Sequence, residues 1–161
     1  MNGEPFDNTN RSLSHQHYMQ ISEALQDIAV IIYASPKQFM SNDDKNIPIN
    51  NWNPYFRVLP AFIEQSDYFI GVDSCAQHIA YGMNKPGTVI MGGTVDQNYT
   101  YDKHFTVIRK EEHNPVYNPI RLSNGDGEFV DRLNSGIMNF SKQDVQQIIE
   151  FLRDQIINIK K

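Results

Sequence analysis

The sequence predicts an α/β fold built on a mainly parallel sheet flanked by helices. Three observations carry that expectation. DYFIGV (67–72) and KPGTVIMGG (85–93) are continuous apolar runs of the kind that form strands covered on both faces. The segment between them has helical spacing, so strand, helix and strand follow in order. The chain then closes on a long amphipathic pattern, SKQDVQQIIEFLRDQIINIKK. Right-handed crossovers are the expectation for parallel strands joined in this way.

Taken in order, Met1 to Ser14 is polar and rich in Asn, a loosely ordered lead-in. Residues 15–161 are expected to form a single domain. HYMQISEALQ places Tyr18, Ile21 and Leu25 at helical spacing, and DIAVIIYAS follows as a buried strand. SPKQFMSNDDKNIPINNWNP is read as a long polar connection. Pro60 suits the first turn of a helix continued by AFIEQ. After the strand at 67–72 comes a helix over about Ala76 to Met83, with Ile79 and Met83 on one side; strands follow at KPGTVIMGG and, shorter, at HFTVIRK. Asn114 to Gly127 is Pro- and Gly-rich. The final helix starts at Ser141 with Asp144 three residues on, a capping signal. Val145, Ile148, Ile149, Leu152 and Ile156 form its apolar stripe, and Lys160 and Lys161 suit its C-terminus.

Composition narrows the function classes. A chain of 161 residues, 40% hydrophobic, is long enough to bury a core and short for two domains. A formal net charge of −5 without a long basic run argues against a nucleic-acid partner. No segment reaches the length of a membrane span, and the polar start lacks a signal-peptide layout, so a cytoplasmic protein is expected. Cys75 is the only cysteine, which excludes an internal disulfide and a cysteine-cluster zinc site. His15 and His17, two apart, point in different directions on a helix, and no metal site is expected.

Candidate chemistry gathers at strand ends. Asp73-Ser74-Cys75 follows a parallel strand and opens a helix, where open α/β sheets bind ligands and where the first helical N–H groups favour an anion. Asp73 either accepts hydrogen bonds from sugar hydroxyls or caps the helix. Ser74 is a donor to a phosphate oxygen or, again, a cap. His78, one turn on, either faces the same crevice or is a structural residue. Gly92, Gly93 and Thr94 end the next strand, where glycines allow a ligand close to the backbone or simply make a turn. In the stretch PVYNPIRLSNGDGEFVDRLNSGIMNFS, Arg121 and Arg132 are phosphate clamps in one reading. Local salt bridges with Asp126, Glu128 and Asp131 are the other.

The run D-x-x-I-G-V-D-S-x-x-x-H-I-A-x-G-x-x-K-P-x-x-V-I-M-G-G-T, Asp67 to Thr94, resembles the signature of the heptosyltransferase-like glycosyltransferase family 9. The resemblance is strongest over Phe62 to Asp96, weaker back to about His15, and uninformative beyond Lys110. It implies one Rossmann-like half of a GT-B fold, the donor-binding C-terminal half. It further implies a donor and diphosphate site at Asp73, Ser74, Cys75, Gln77, His78, Gly92, Gly93 and Thr94. No metal and no cofactor is implied, the nucleotide-diphosphate sugar being the donor substrate. The chain departs from the family in two ways. Cys75 replaces the glycine after Asp-Ser, and the acceptor half, which supplies the catalytic base, has no room here.

Three functions follow. The first is the donor-binding half of a hexosyl- or heptosyltransferase, acting with a missing acceptor half, a partner protein or another copy of itself. No residue stands out as its base; His78, Asp73, Asp96 and Asp102 are the nearest. The second is a non-catalytic nucleotide- or sugar-binding module that keeps the fold. The third is an assembly module presenting aromatics such as Trp52, Tyr55, Tyr99, Tyr101, Phe105 and Tyr117.

Overall fold

The computed structural model describes residues 13–34, 39–41, 55–91, 100–109, 138 and 140–160. In chain order these form α1 (His15–Leu25), β1 (Ile32–Ala34), β2 (Phe39–Ser41), α2 (Tyr55–Gln65), β3 (Phe69–Val72), α3 (Cys75–Gly82), β4 (Gly87–Met91), β5 (Phe105–Arg109) and α4 (Lys142–Ile159). The parallel expectation holds at the centre. β3, β4 and β5 make a three-stranded all-parallel sheet in that order, with Val72 opposite Ile90 and Met91 opposite Arg109.

Side-chain alternation divides this sheet between two cores. Ile70, Val72, Ile90 and Ile108 join α1 and α4, through Ile21, Leu25, Val145, Ile148, Leu152 and Ile156. Phe69, Val89, Met91, Phe105 and Val107 join α2 and α3, through Leu59, Ile63 and Ala80. β4 is paired on both edges and buried at all five residues, which is why TVIM is apolar without alternation. Its one polar side chain, Thr88, is fully buried and shares a 2.6 Å hydrogen bond with the Tyr68 hydroxyl, whose own burial pushes its ionisation up.

Local chemistry explains the joints. Gly87 lies in register between Phe69 and Phe105 on the neighbouring strands, and their rings tilt together at 5.8 Å. A Cβ on Gly87 would sit 2.5 Å from the Phe69 carbonyl oxygen, so only glycine allows the two strands to start this close. α3 ends in a Schellman motif: Lys85 N–H donates to the Ala80 carbonyl and Asn84 N–H to that of Tyr81, with Asn84 left-handed at φ 55°. Lys85 Nζ then reaches the Ser66 carbonyl at 3.0 Å, placing a cation at the C-terminal end of α2.

α4 follows the sequence reading closely. The Ser141 hydroxyl accepts from Asp144 N–H at 3.1 Å while the Asp144 carboxylate accepts from Ser141 N–H at 2.7 Å, a complete capping box. Its basic residues act across to α1. Arg153 donates to the Ala24 carbonyl at 3.0 Å and forks onto the Asp27 carboxylate, and Lys160 Nζ donates to the Ile28 carbonyl. Cations of α4 thus satisfy carbonyls at the C-terminal exit of α1.

Three expectations need correction. DIAVIIYAS is not a buried strand of the main sheet. Among the described residues of that run only Ile32–Ala34 is strand, and it pairs antiparallel with Phe39–Ser41, inside the stretch expected to be a long polar connection. Ile28 and Ala29 turn back on the Leu25 carbonyl, and Ile28, Ala29 and Ile31 pack on the α1–α4 core, while Val30 is 66% and Ile32 43% exposed. Pro60 is not in a first turn. α2 begins five residues earlier, at Tyr55, because Val58, Leu59, Phe62 and Ile63 supply an apolar stripe that carries the helix through the proline. HFTVIRK is no shorter in strand than its neighbour, since β5 pairs with β4 along all five residues.

Two outcomes are expected from these joints. Gly87→Ala lowers stability by about 1–3 kcal/mol in urea denaturation, because the added methyl meets backbone rather than a movable side chain. Asn84→Gly in the same assay stays within about 0.5 kcal/mol of the parent, since glycine tolerates the left-handed cap. Asp27 gives a pH test. Its hydrogen bonds from Arg153, then the guanidinium charge, hold its carboxyl below the ordinary 3.8. The folded value being depressed, the contribution is present above the unfolded value and lost as pH falls through the folded one. An Asp27→Asn protein therefore loses the part of the acid-unfolding slope that lies below 3.8, and carboxyl NMR titration of the parent gives an Asp27 midpoint under that value.

Candidate functional site

β3 ends at Val72 and α3 starts at Cys75, so Asp73 and Ser74 occupy the turn at the carboxyl edge of the sheet. Register puts Ile90 beside Val72, and Met91 with Arg109 at the same edge. The carboxyl edge is the side on which open parallel α/β sheets bind ligands, at points where the strand order reverses; among the described residues β3, β4 and β5 lie in sequence order. Asp73 is 9% exposed. Its Oδ1 accepts from Gln77 Nε2 at 3.2 Å, and Gln77, one turn into α3, is fully buried. The carboxylate and the amide therefore hold each other where strand becomes helix.

Ser74 stands at the N-cap of α3 in extended conformation (φ −157°, ψ 170°), yet its hydroxyl makes no capping hydrogen bond. The contrast with Ser14 and Ser141, both of which cap through their hydroxyls, is direct. Ser74 serves the helix through its carbonyl alone, which accepts from Gln77 N–H at 3.2 Å. Cys75, where the resembled signature has glycine, is the first helical residue, half-buried, with a free thiol.

His78 is exposed, and its described partner lies in the turn before β5. Nδ1 lies 2.9 Å from the Tyr101 hydroxyl, and the two rings meet edge-on at 5.6 Å. Tyr101 in turn stacks on Tyr81 of α3, with centroids 3.6 Å apart and planes 2° from parallel. The His104 and Phe105 N–H groups donate to the Tyr101 carbonyl at 2.8 and 2.7 Å, and His104 Nε2 donates to the Lys85 carbonyl at 2.8 Å. The turn that leads into β5 is thereby locked to α3 and to the turn that ends it.

Of the residues named from the sequence, Asp73, Ser74, Cys75 and Gln77 come together at the β3–α3 turn, and His78 sits on the next turn against Tyr101. Gly92, Gly93 and Thr94, along with Asp96, Arg121 and Arg132, lie outside the described residues. Asp102 is exposed in the turn before β5. Two residues of this region were not foreseen as part of it. Tyr101 is 23 positions from His78, and its sequence pattern offers it only as one of the aromatics of the assembly reading. Arg109 reaches the carboxyl edge only through the β4–β5 register, which no local pattern encodes. Among the described residues, no group of three or more His, Cys, Asp and Glu side chains is placed to hold a metal ion, and no helix is long and apolar enough to cross a membrane.

Comparison with protein-family models, with curated proteins and with solved structures gives no match for the chain.

Gln77 offers a test of the local architecture. Gln77→Ala removes a buried hydrogen-bonding side chain and leaves a void beneath the Asp73 turn, and is expected to destabilise by about 2–4 kcal/mol in chemical denaturation. Ser74→Ala, with no capping bond to lose, stays within about 0.5 kcal/mol, unlike Ser141→Ala, which costs about 1 kcal/mol.

Proposed function

We propose that the Asp73 turn recognises the diphosphate of a nucleotide sugar, and that the chain is the donor-binding half of a glycosyltransferase. It would transfer a hexose or heptose only when an acceptor half, from a partner protein or a second copy, completes the cleft. One observation carries this reading: the turn between β3 and α3 lies at the carboxyl edge of a parallel sheet, and the N-cap hydroxyl there is not spent on its own helix. A helix start of this kind presents N–H donors and a positive dipole end to an anion. The resemblance of Asp67 to Thr94 to the family 9 signature supplies the substrate class.

In this reading the Ser74 hydroxyl and the first N–H groups of α3 hold phosphate oxygens, with Cys75 at the rim. Asp73, braced by Gln77, accepts from a sugar hydroxyl. Stabilising the departing diphosphate is the contribution this half makes to transfer. The base that deprotonates the acceptor comes from the other half. In this reading the protein acts in the cytoplasm on nucleotide sugars.

The alternative is a non-catalytic nucleotide- or sugar-binding or assembly module. What favours it is the internal engagement of Asp73 with Gln77 and of His78 with Tyr101, which gives both side chains a role in the fold.

Calorimetric titration with nucleoside diphosphates and nucleotide sugars separates these readings, with alkylation of Cys75 as a second readout. Binding is expected to weaken by about tenfold or more in Ser74→Ala and Asp73→Asn, and a bound nucleoside diphosphate is expected to slow alkylation of the single thiol. Absence of binding by the folded chain would sink the donor-half reading and leave the assembly module. Binding without sugar transfer in any pairing with an acceptor half would leave the recognition module.

A further inference from the structure

We propose that the Tyr101 hydroxyl is an activated nucleophile, with His78 as its base, and that it accepts a group from phosphorus(V) electrophiles. The inference is independent of the Asp73 turn. It concerns the place where the turn before β5 lies against α3.

A neutral phenol is a weak nucleophile, and an adjacent base that takes its proton during attack makes it a strong one. His78 Nδ1 lies 2.9 Å from the Tyr101 hydroxyl, within reach of such a transfer. The phenol is the better donor of the two groups and an imidazole lone pair the better acceptor. In the neutral pair the hydroxyl therefore donates to Nδ1, and the imidazole keeps its own proton on Nε2. Contact and the direction of the hydrogen bond both suit a nucleophile and its base. The bond is exposed, as is His78, so a small electrophile reaches the oxygen.

Two other tyrosines set the contrast. The Tyr68 hydroxyl shares its hydrogen bond with Thr88 at 2.6 Å, and burial pushes its ionisation up. A hydroxyl partner does not take the proton, and burial disfavours the phenolate. Tyr81 is 45% exposed, but its described contacts are with the rings of Tyr101 and His104.

His78 and Tyr81 stand three apart on α3, the spacing of neighbours on one helical face. The Tyr101 ring lies flat on Tyr81, with centroids 3.6 Å apart, while its hydroxyl meets His78. One residue of that face thus fixes the ring and the other receives the proton. At the root of the side chain, the Tyr101 carbonyl accepts from the His104 and Phe105 N–H groups. Holding the nucleophile beside its base in advance lowers the orientational cost of the reaction.

With a dialkyl phosphorofluoridate, the phenolic oxygen bonds to phosphorus as the P–F bond breaks. Fluoride leaves with the electron pair, and the phenolic proton passes to Nδ1. The imidazolium then returns a proton to water, and a phosphotriester remains on Tyr101. A donor whose leaving group is phosphate or diphosphate enters by the same step, which makes Tyr101 an acceptor of phosphoryl or nucleotidyl groups.

The test treats the full chain with diisopropyl phosphorofluoridate and follows each tyrosine by peptide mapping and mass spectrometry. The readout is the rate at Tyr101 relative to that at Tyr81 in the same sample. Tyr101 is expected to react faster by about tenfold or more, and His78→Gln to bring it down to the Tyr81 rate. In His78→Ala the same loss is expected, with part of it restored by added imidazole. A parent ratio near one, or no modification of Tyr101, would overturn the proposal. A high ratio that survives both substitutions would remove His78 as the base. So would a ratio lost in His78→Ala that imidazole does not restore.

Discussion

The contact on which the rest of the fold depends is the nesting of Phe69 among glycines. Its ring lies over Gly71, two residues on along the same face of β3, so closely that a Cβ on Gly71 would come within 2.2 Å of the ring. Its backbone is met by Gly87 of β4, and its ring meets Phe105 across that glycine. The Phe69 N–H donates to the Pro86 carbonyl at 2.9 Å, which starts the ladder. Together these contacts set the register of β3 on β4. A slip of β3 by one residue would exchange its faces, sending Phe69 to the α1–α4 side and Ile70 and Val72 to the α2–α3 side. Two differently shaped cores make that exchange unfavourable.

Register then settles where the β3–α3 turn lies. Because Val72 lies opposite Ile90, β3 ends one residue short of the end of β4, and Asp73, Ser74 and the start of α3 stand at that edge. Gln77 braces Asp73 from beneath, while Lys85, Asn84 and Pro86 govern the return from α3 to β4. Much of the Asp67 to Thr94 run is thus explained by folding alone: Gly71 and Gly87 by close approach, Asn84 by its left-handed cap, Lys85 by its bond to the end of α2. What folding alone leaves over is Ser74, whose hydroxyl makes no capping hydrogen bond.

The second core is held in a different manner. α1 and α4 meet through an apolar stripe and through cations of α4 that satisfy the carbonyl end of α1. The pair of Arg153 with Asp27 is exposed, so solvent screens its charge, and its value lies more in fixing where α1 ends than in depth of binding. That ending releases Ile28 to Ile31 as an irregular packed segment and leaves only three residues for β1.

By itself, the sequence determined the features that short-range physics controls. The capping box and stripe of α4 need only four to sixteen neighbouring residues, and α3, β3 and β4 show their periods within a dozen. The turn bearing Asp73 and Ser74 was legible for the same reason, since a polar break between a buried strand and a helix has one common meaning. Tertiary structure decided whatever depended on distant partners. DIAVIIYAS is apolar enough for a strand, but the packing of α4 on α1 turned most of it into a helix exit. Pro60 reads as a helix start until the stripe from Val58 to Ile63 finds its core. Tyr101 on His78 and Arg109 at the sheet edge depend on strand order and register, which arise from contacts tens of residues apart and leave no periodic mark on either segment.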